Sequence, residues 1–214
     1  FLKNRYIVRF ILLILFTCPI NTCMLANQGS QTISKKYSMI DGLSSNRIYS
    51  IVQDSLGFIW FGTNDGLNRF DGINFKKFYY TSEDSNSISS NSIRWLLITR
   101  DNKMWISLDN GIDIYNPHTN SFSHFNMTTQ SGEPINCRVL EMVQDKDGDI
   151  WIGTMDNGLY RYSPNQKELK VYRTTPKNNN SIPQNWITTI FEDSDGIIWI
   201  GTYSEGFALF VKRQ

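Results

Sequence analysis

Residues 139–163 read VLEMVQDKDGDIWIGTMDNGLYRYS. Close copies stand at 48–71, IYSIVQDSLGFIWFGTNDGLNRFD, and at 187–211, ITTIFEDSDGIIWIGTYSEGFALFV. A more divergent copy, IRWLLITRDNKMWISLDNGIDIYNP, fills 93–117. Together they place Trp60, Trp105, Trp151 and Trp199 at intervals of 45, 46 and 48 residues. A fixed period of this size is the signature of a repeat architecture and takes precedence over residue-by-residue reading.

Each copy reads as strands and turns. A β-branched run such as Ile48–Val52 opens the unit. Asp54 to Gly57 then forms a turn in which glycine suits a positive φ. The next run alternates about the tryptophan: Phe58, Trp60 and Gly62 face one way, Ile59, Phe61 and Thr63 the other. A second turn carries Gly66, Gly111, Gly158 or Gly206, followed by a third strand and an aromatic fourth such as Phe75–Tyr80. Polar links at 82–92, 128–136 and 175–184 join the copies. Four short strands in about 45 residues make a propeller blade. Helical repeats would need apolar spacings of three and four, which are missing. The fold class is therefore all-β, a β-propeller of four tandem four-stranded blades at about 45–80, 90–125, 137–173 and 184–214. Residues 33–46, ISKKYSMIDGLSSN, resemble the end of a blade and its link, so a fourth strand is expected there. Four copies could close as a small ring or form the opening arc of a larger one.

Residues 1–26 are set apart from the fold. Lys3, Arg5 and Arg9 precede an apolar run from Phe10 to Phe16, and Ala26 offers a small residue for cleavage. This is the layout of a signal peptide, too short for a comfortable membrane span. Residues 27–214 are then the exported propeller. Of Cys18, Cys23 and Cys137, only the last falls in it, so no internal disulfide is expected. A net charge of +1 argues against a nucleic-acid partner.

The phrase D-x-x-G-x-I-W-x-G-T resembles the two-component regulator propeller repeat. The match runs through Asp54, Gly57, Trp60, Gly62 and Thr63; Asp145, Gly148, Trp151, Gly153 and Thr154; Asp193, Gly196, Trp199, Gly201 and Thr202. The second copy departs at Thr99, Asn102, Ser107 and Leu108, which questions its turn geometry, while Trp105 and Gly111 hold. The resemblance implies the periplasmic sensor region of a Bacteroidetes hybrid sensor histidine kinase, with seven-bladed rings. It makes this chain the N-terminal arc of an exported region belonging to an inner-membrane protein. Kinase activity would lie in other domains. The implied partners are further blades, downstream receptor domains and a second receptor copy in a homodimer.

The repeat tryptophans read as core, since a residue fixed in every blade serves what every blade needs. Asp145-Lys-Asp-Gly-Asp149 resembles a calcium loop, but its glycine comes too early for one, and turn chemistry explains it. His118 and His124 have no metal-ligand spacing around them. No Ser-His-Asp or Cys-His signature and no phosphate loop is present. Catalytic residues, metal and cofactor are all expected to be absent, the alternative being a cell-envelope propeller lyase or glycosidase. The variable positions carry the binding expectation. The loops leading into the first strands and the turns between the second and third should share one face. That face would gather Arg47, Arg94, Arg138, Trp186, Asp65, Asp156 and Glu205 as ligand-binding candidates. Arginine forks, a tryptophan face and carboxylates suit a polar oligosaccharide. Tyr49, Leu140, Thr188, Ser50, Trp95, Glu141 and Thr189, next along the first strands, are expected to line the channel.

Overall fold

A computed structural model describes residues 34–126, 128–178 and 180–211. The proposed signal peptide lies outside them. All the sheets belong to one unit that begins at Tyr37. Blade 1 comprises β1 (Ile48–Gln53), β2 (Ile59–Thr63), β3 (Leu67–Phe70) and β4 (Phe75–Phe78). Blade 2 comprises β5 (Ile93–Ile98), β6 (Met104–Leu108), β7 (Gly111–Asn116) and β8 (Ser121–His124). Blade 3 comprises β9 (Val139–Gln144), β10 (Ile150–Thr154), β11 (Leu159–Ser163) and β12 (Glu168–Tyr172). Blade 4 has three described strands, β13 (Ile187–Glu192), β14 (Ile198–Thr202) and β15 (Phe207–Phe210). Each sheet is an antiparallel meander in sequence order. The first strands pack one after another, β1 against β5, β5 against β9 and β9 against β13. This is propeller architecture.

The stretch 34–46 differs from expectation. It forms no strand, only a 3-10 turn at Met39–Asp41. It is fastened to blade 1 by polar side chains instead: Asn68 accepts from the Ser44 N–H at 2.9 Å and donates to the Ser44 hydroxyl at 2.6 Å. The links also hold a feature that composition concealed. Leu43, Ile88, Ile135 and Ile182 each bury one apolar side chain within an otherwise polar segment, and the last three join the cores shared by the two blades they connect.

The repeated phrase acts as a clamp. In blade 3, one carboxylate oxygen of Asp145 accepts the N–H groups of Asp147 and Asp149, both at 3.0 Å. The other accepts the indole N–H of Trp151 at 2.7 Å. Asp54 and Asp193 repeat the arrangement on Trp60 and Trp199, again at 2.7 Å. Two backbone donors of a tight turn are thus satisfied, and the tryptophan is oriented, by one side chain. This accounts for Asp145 without a metal. Its neighbour Asp149 is paired with Arg161. In blade 2, Thr99 replaces the aspartate, yet the turn keeps its form because Asn102 adopts φ +60° where the other blades have glycine. Asparagine tolerates that region better than most residues.

The tryptophans seal the joints between blades. Trp60 packs against Tyr115 of blade 2 and Trp151 against Phe210 of blade 4. Both are 1% exposed, whereas Trp199 is 36% exposed. Each blade therefore turns its tryptophan toward the following blade. The opposite face carries an apolar pair. Ile93 with Leu96, Val139 with Met142 and Ile187 with Ile190 are buried, while Ile51 of blade 1 is 59% exposed. The glycine two residues after the tryptophan completes the joint. A Cβ on Gly62 would sit 2.8 Å from Ile93, and one on Gly153 would sit 2.8 Å from Ile187. Blade 2 has Ser107 there, and the next blade answers with Val139, one methylene smaller than isoleucine. The Ser107 hydroxyl is buried without a hydrogen-bond partner.

Candidate functional site

Backbone bonds settle which loops share an end. The carbonyls of Arg47, Arg138 and Trp186 accept from the N–H groups of Asn64, Met155 and Tyr203, at 3.3, 3.0 and 3.1 Å. In blade 2 the corresponding residues are Ser92 and Asp109, and the Ser92 side chain acts to lower the Asp109 pKa. The residue leading into each first strand is therefore tied to the turn between the second and third strands. We term this the upper end; the Asp-x-x-Gly turns form the lower end.

Each first strand carries a register shift just after it begins, between Ile48 and Ser50, Ile93 and Trp95, and Ile187 and Thr189, with the matching shift opposite β9. A bulge of this kind leaves one residue unpaired and re-aims its side chain. The residues released are Tyr49, Arg94, Leu140 and Thr188. Arg94 lies over the Tyr49 ring at 4.5 Å and reaches Asp109 at 3.4 Å. Arg138 joins from blade 3 at 2.8 Å. Asp109 thus holds two arginines from neighbouring blades. Burial alone would raise its pKa, but the Ser92 hydroxyl, Arg138 and Arg94 together hold it below the ordinary carboxylate value. On blade 4, Trp186 stacks on Tyr203 with centroids 4.2 Å apart and planes 13° from parallel. Arg47, Asp65, Asp156 and Glu205 are exposed at the same end. Arg94 and Arg138 meet; the other candidates stand singly. Sequence reasoning passed over Tyr203 and did not bring Asp109 into the candidate set. Both occupy the turn position that pairs with the strand-leading residue, and that pairing was the available signal.

The channel-lining expectation needs correction for three residues. Ser50 Oγ accepts the Leu96 N–H at 3.1 Å, the Trp95 indole donates to the Met142 carbonyl at 3.0 Å, and Glu141 accepts the Ile190 N–H at 2.9 Å. Each ties its own blade to the next. The bulge breaks the regular pairing of the first strand, and these side chains occupy the space between adjacent blades. Their variety is explained by different chemistry serving one joint. Burial pushes the Glu141 carboxyl above its ordinary pKa, against the lowering effect of the Ile190 N–H and Thr189. A folded-state pKa above the unfolded one makes folding take up protons, so stability falls as pH rises from the unfolded value through the folded one. Glu141→Gln keeps an acceptor for Ile190 without the charge. The variant is expected to gain stability over the parent at pH 7, a gain that fades as pH falls through the folded-state pKa and is largely absent near pH 4, as measured by urea denaturation at both pH values.

A Ser-His-Asp group does assemble in space. Ser89 Oγ lies 2.6 Å from His124 Nδ1 and donates to Asp113 at 2.8 Å; His124 Nδ1 is itself 2.8 Å from Asp113. Both partners meet the same ring nitrogen. A nucleophile-base relay requires the serine on one nitrogen and the carboxylate on the other. The Ser89 N–H also donates to Asp113 at 2.6 Å. Ser44 and Asn68 hold the equivalent places in blade 1, so the group is a link anchor rather than a catalytic triad.

The chain is a β-propeller segment. The model of the two-component regulator propeller family matches residues 42–65, 132–156 and 181–204. These are the neighbourhoods of the clamps in blades 1, 3 and 4; blade 2 is passed over. The chain is similar to the extracellular domain of a hybrid two-component system from B. thetaiotaomicron, at 28% identity and a TM-score of 0.69, covering 85% of this chain and 23% of that one. A second such domain from the same organism aligns at 25% identity with a TM-score of 0.54, over 83% of this chain and 30% of that one. A histidine kinase of Formosa agariphila is 48% identical over 62 residues, which is 29% of this chain and 4% of the kinase. The chain therefore spans less than a third of the length of each of these relatives.

Proposed function

We propose that this chain is a ligand-sensing propeller segment of an exported sensor histidine kinase, and that the upper end of its blades takes a polar oligosaccharide. The repeats and the named relatives support the sensor role. The observation that carries the site is the gathering of Arg94 and Arg138 on Asp109, beside Tyr49, across the joint of blades 2 and 3. One carboxylate does not use up the donors of two guanidinium forks, so hydroxyl or carboxylate oxygens of a ligand have partners there. The Trp186–Tyr203 stack adds an aromatic surface for a sugar face. Location in the periplasm and a kinase elsewhere in the protein follow from the same reading. Ligand binding drives signalling only where it favours one receptor state over another. A site spanning two blades and open at one end would let a bound glycan also touch a neighbouring domain or receptor copy.

The test is calorimetric titration with an oligosaccharide panel. Arg94→Ala with Arg138→Ala is expected to weaken a confirmed ligand by tenfold or more, since a charge-assisted hydrogen bond contributes about 1.5–3 kcal/mol, with little change in melting temperature. Unchanged affinity in that double variant, and in Arg47→Ala and Trp186→Ala, would place the site elsewhere.

A further inference from the structure

A cleft of about 670 Å³ opens at the lower end between blades 2 and 3. That volume is in the range of small-molecule sites. Its floor is aromatic. Trp105 lies 4.9 Å from Phe125 and 5.7 Å from Tyr162, and Phe125 lies 5.0 Å from Tyr162, centroid to centroid. The cleft coincides with the place where the repeat departs from its own rule. In blades 1, 3 and 4 the indole N–H donates to the turn aspartate. Blade 2 has Thr99 at that position, and the Thr99 hydroxyl is directed at Asp101 and the Lys103 carbonyl, at 2.5 and 2.9 Å. No described residue accepts from the Trp105 N–H, although Trp105 is only 4% exposed. Among the described side chains, only Ser107 Oγ is sealed away from solvent and unpartnered. The Trp105 N–H therefore opens onto accessible space, and the space this ring lines is the cleft.

The other free polar groups point to the kind of ligand. Among the described residues, none forms a side-chain hydrogen bond with Tyr162, or with Asn126 and Asn165 on the rim. The charged residues of the wall are matched in sign, Arg100 and Lys103 against Asp101 and Asp147. Lys103 pairs with Asp101 at 2.7 Å, and Arg100 is occupied with the carbonyls of Asp145 and Lys146. With two side chains of each sign, the wall has no excess charge that would select a charged ligand. A purely apolar ligand would trap the indole N–H unsatisfied, which is costly. A compound with an apolar face and hydroxyls at its edge meets both demands.

We propose that this cleft is a second ligand site, which binds a neutral sugar ring. The ring's C–H face lies on the partly exposed rings of Phe125 and Tyr162. One of its oxygens accepts from the Trp105 N–H, and its hydroxyls reach Tyr162, Asn126 and Asn165. The proposal is independent of the upper end, since none of the arginines placed there lines this cleft.

The test is titration of the full chain, followed by tryptophan fluorescence, with maltotriose, cellotriose, xylotriose and mannotriose, and with trigalacturonate as the acidic comparison. At least one neutral trisaccharide is expected to bind and shift the emission. Thr99→Asp restores the acceptor found in the other three blades. It is expected to weaken that binding about tenfold, the equivalent of one good hydrogen bond, without lowering the melting temperature. Tyr162→Phe, which keeps the ring, is expected to weaken it several-fold. Failure of every neutral sugar to bind overturns the proposal. Preference for trigalacturonate, or equal affinity in the parent, Thr99→Asp and Tyr162→Phe, overturns it as well.

Discussion

Trp151→Ala is expected to lower the stability of the chain by about 3–5 kcal/mol, the usual loss when a buried large aromatic is truncated. Three separate contacts fail together. The ring leaves a void between blades 3 and 4 where it had met Tyr172 and Phe210. Arg161, 5.4 Å above the ring, loses its aromatic partner. Asp145 loses the indole donor that fixed one of its oxygens. Trp199→Ala provides the comparison. That residue has the same clamp but no covering blade among the described residues, and its ring is far more exposed. Its truncation should cost about 1 kcal/mol or less, in keeping with partly exposed positions. Urea denaturation of the two variants measures the difference. A Trp151 variant no less stable than the Trp199 variant would refute the joint-sealing role.

The second large effect is expected at the other half of the clamp. Asp145→Ala should cost about 2 kcal/mol or more, because two of the three donors it strands are buried and each buried unsatisfied group costs about 1–3 kcal/mol. Those donors are the N–H groups of Asp147 and Asp149 and the Trp151 indole. Asp145 is fully buried, so water does not readily replace the lost carboxylate. Asp145→Asn should recover part of the loss, since its carbonyl can cap the turn while its amide opposes the indole donor. Hydrogen exchange at the turn amides would separate the two variants. A turn that stays fully protected in Asp145→Ala would show that the aspartate does not hold it.

Much of this was legible beforehand, and the reason is the repeat. A residue that recurs at Trp60, Trp151 and Trp199 answers a need shared by every blade, so its role could be assigned without coordinates. The same logic covers Asp54, Asp145 and Asp193, and the strand order of each meander. The variable positions were harder to read. Ser50, Trp95 and Glu141 differ in chemistry, and difference looked like ligand specialisation. They prove to be three solutions to one inter-blade bond, which becomes visible only when the bulge and the neighbouring strand are seen together. Arg94 and Arg138 were both singled out, but their meeting on Asp109 depends on the stagger of adjacent blades, which no one-dimensional pattern encodes. The lower cleft escaped notice for a related reason. Thr99 registered as a lost consensus residue, and the consequence of that loss falls on Trp105, six residues away.

The pairing of Ser107 with Val139 bears on how such an array can change over time. Every joint couples a forward surface to a backward surface, so a duplicated or deleted unit normally meets a compatible neighbour. The joint between blades 2 and 3 is the exception. Exchange of Val139 for isoleucine would press a larger side chain on the Ser107 position, while a valine-bearing unit placed after a glycine would leave space unfilled. These two units are keyed to one another, and recombination that shuffles blades should carry them as a pair.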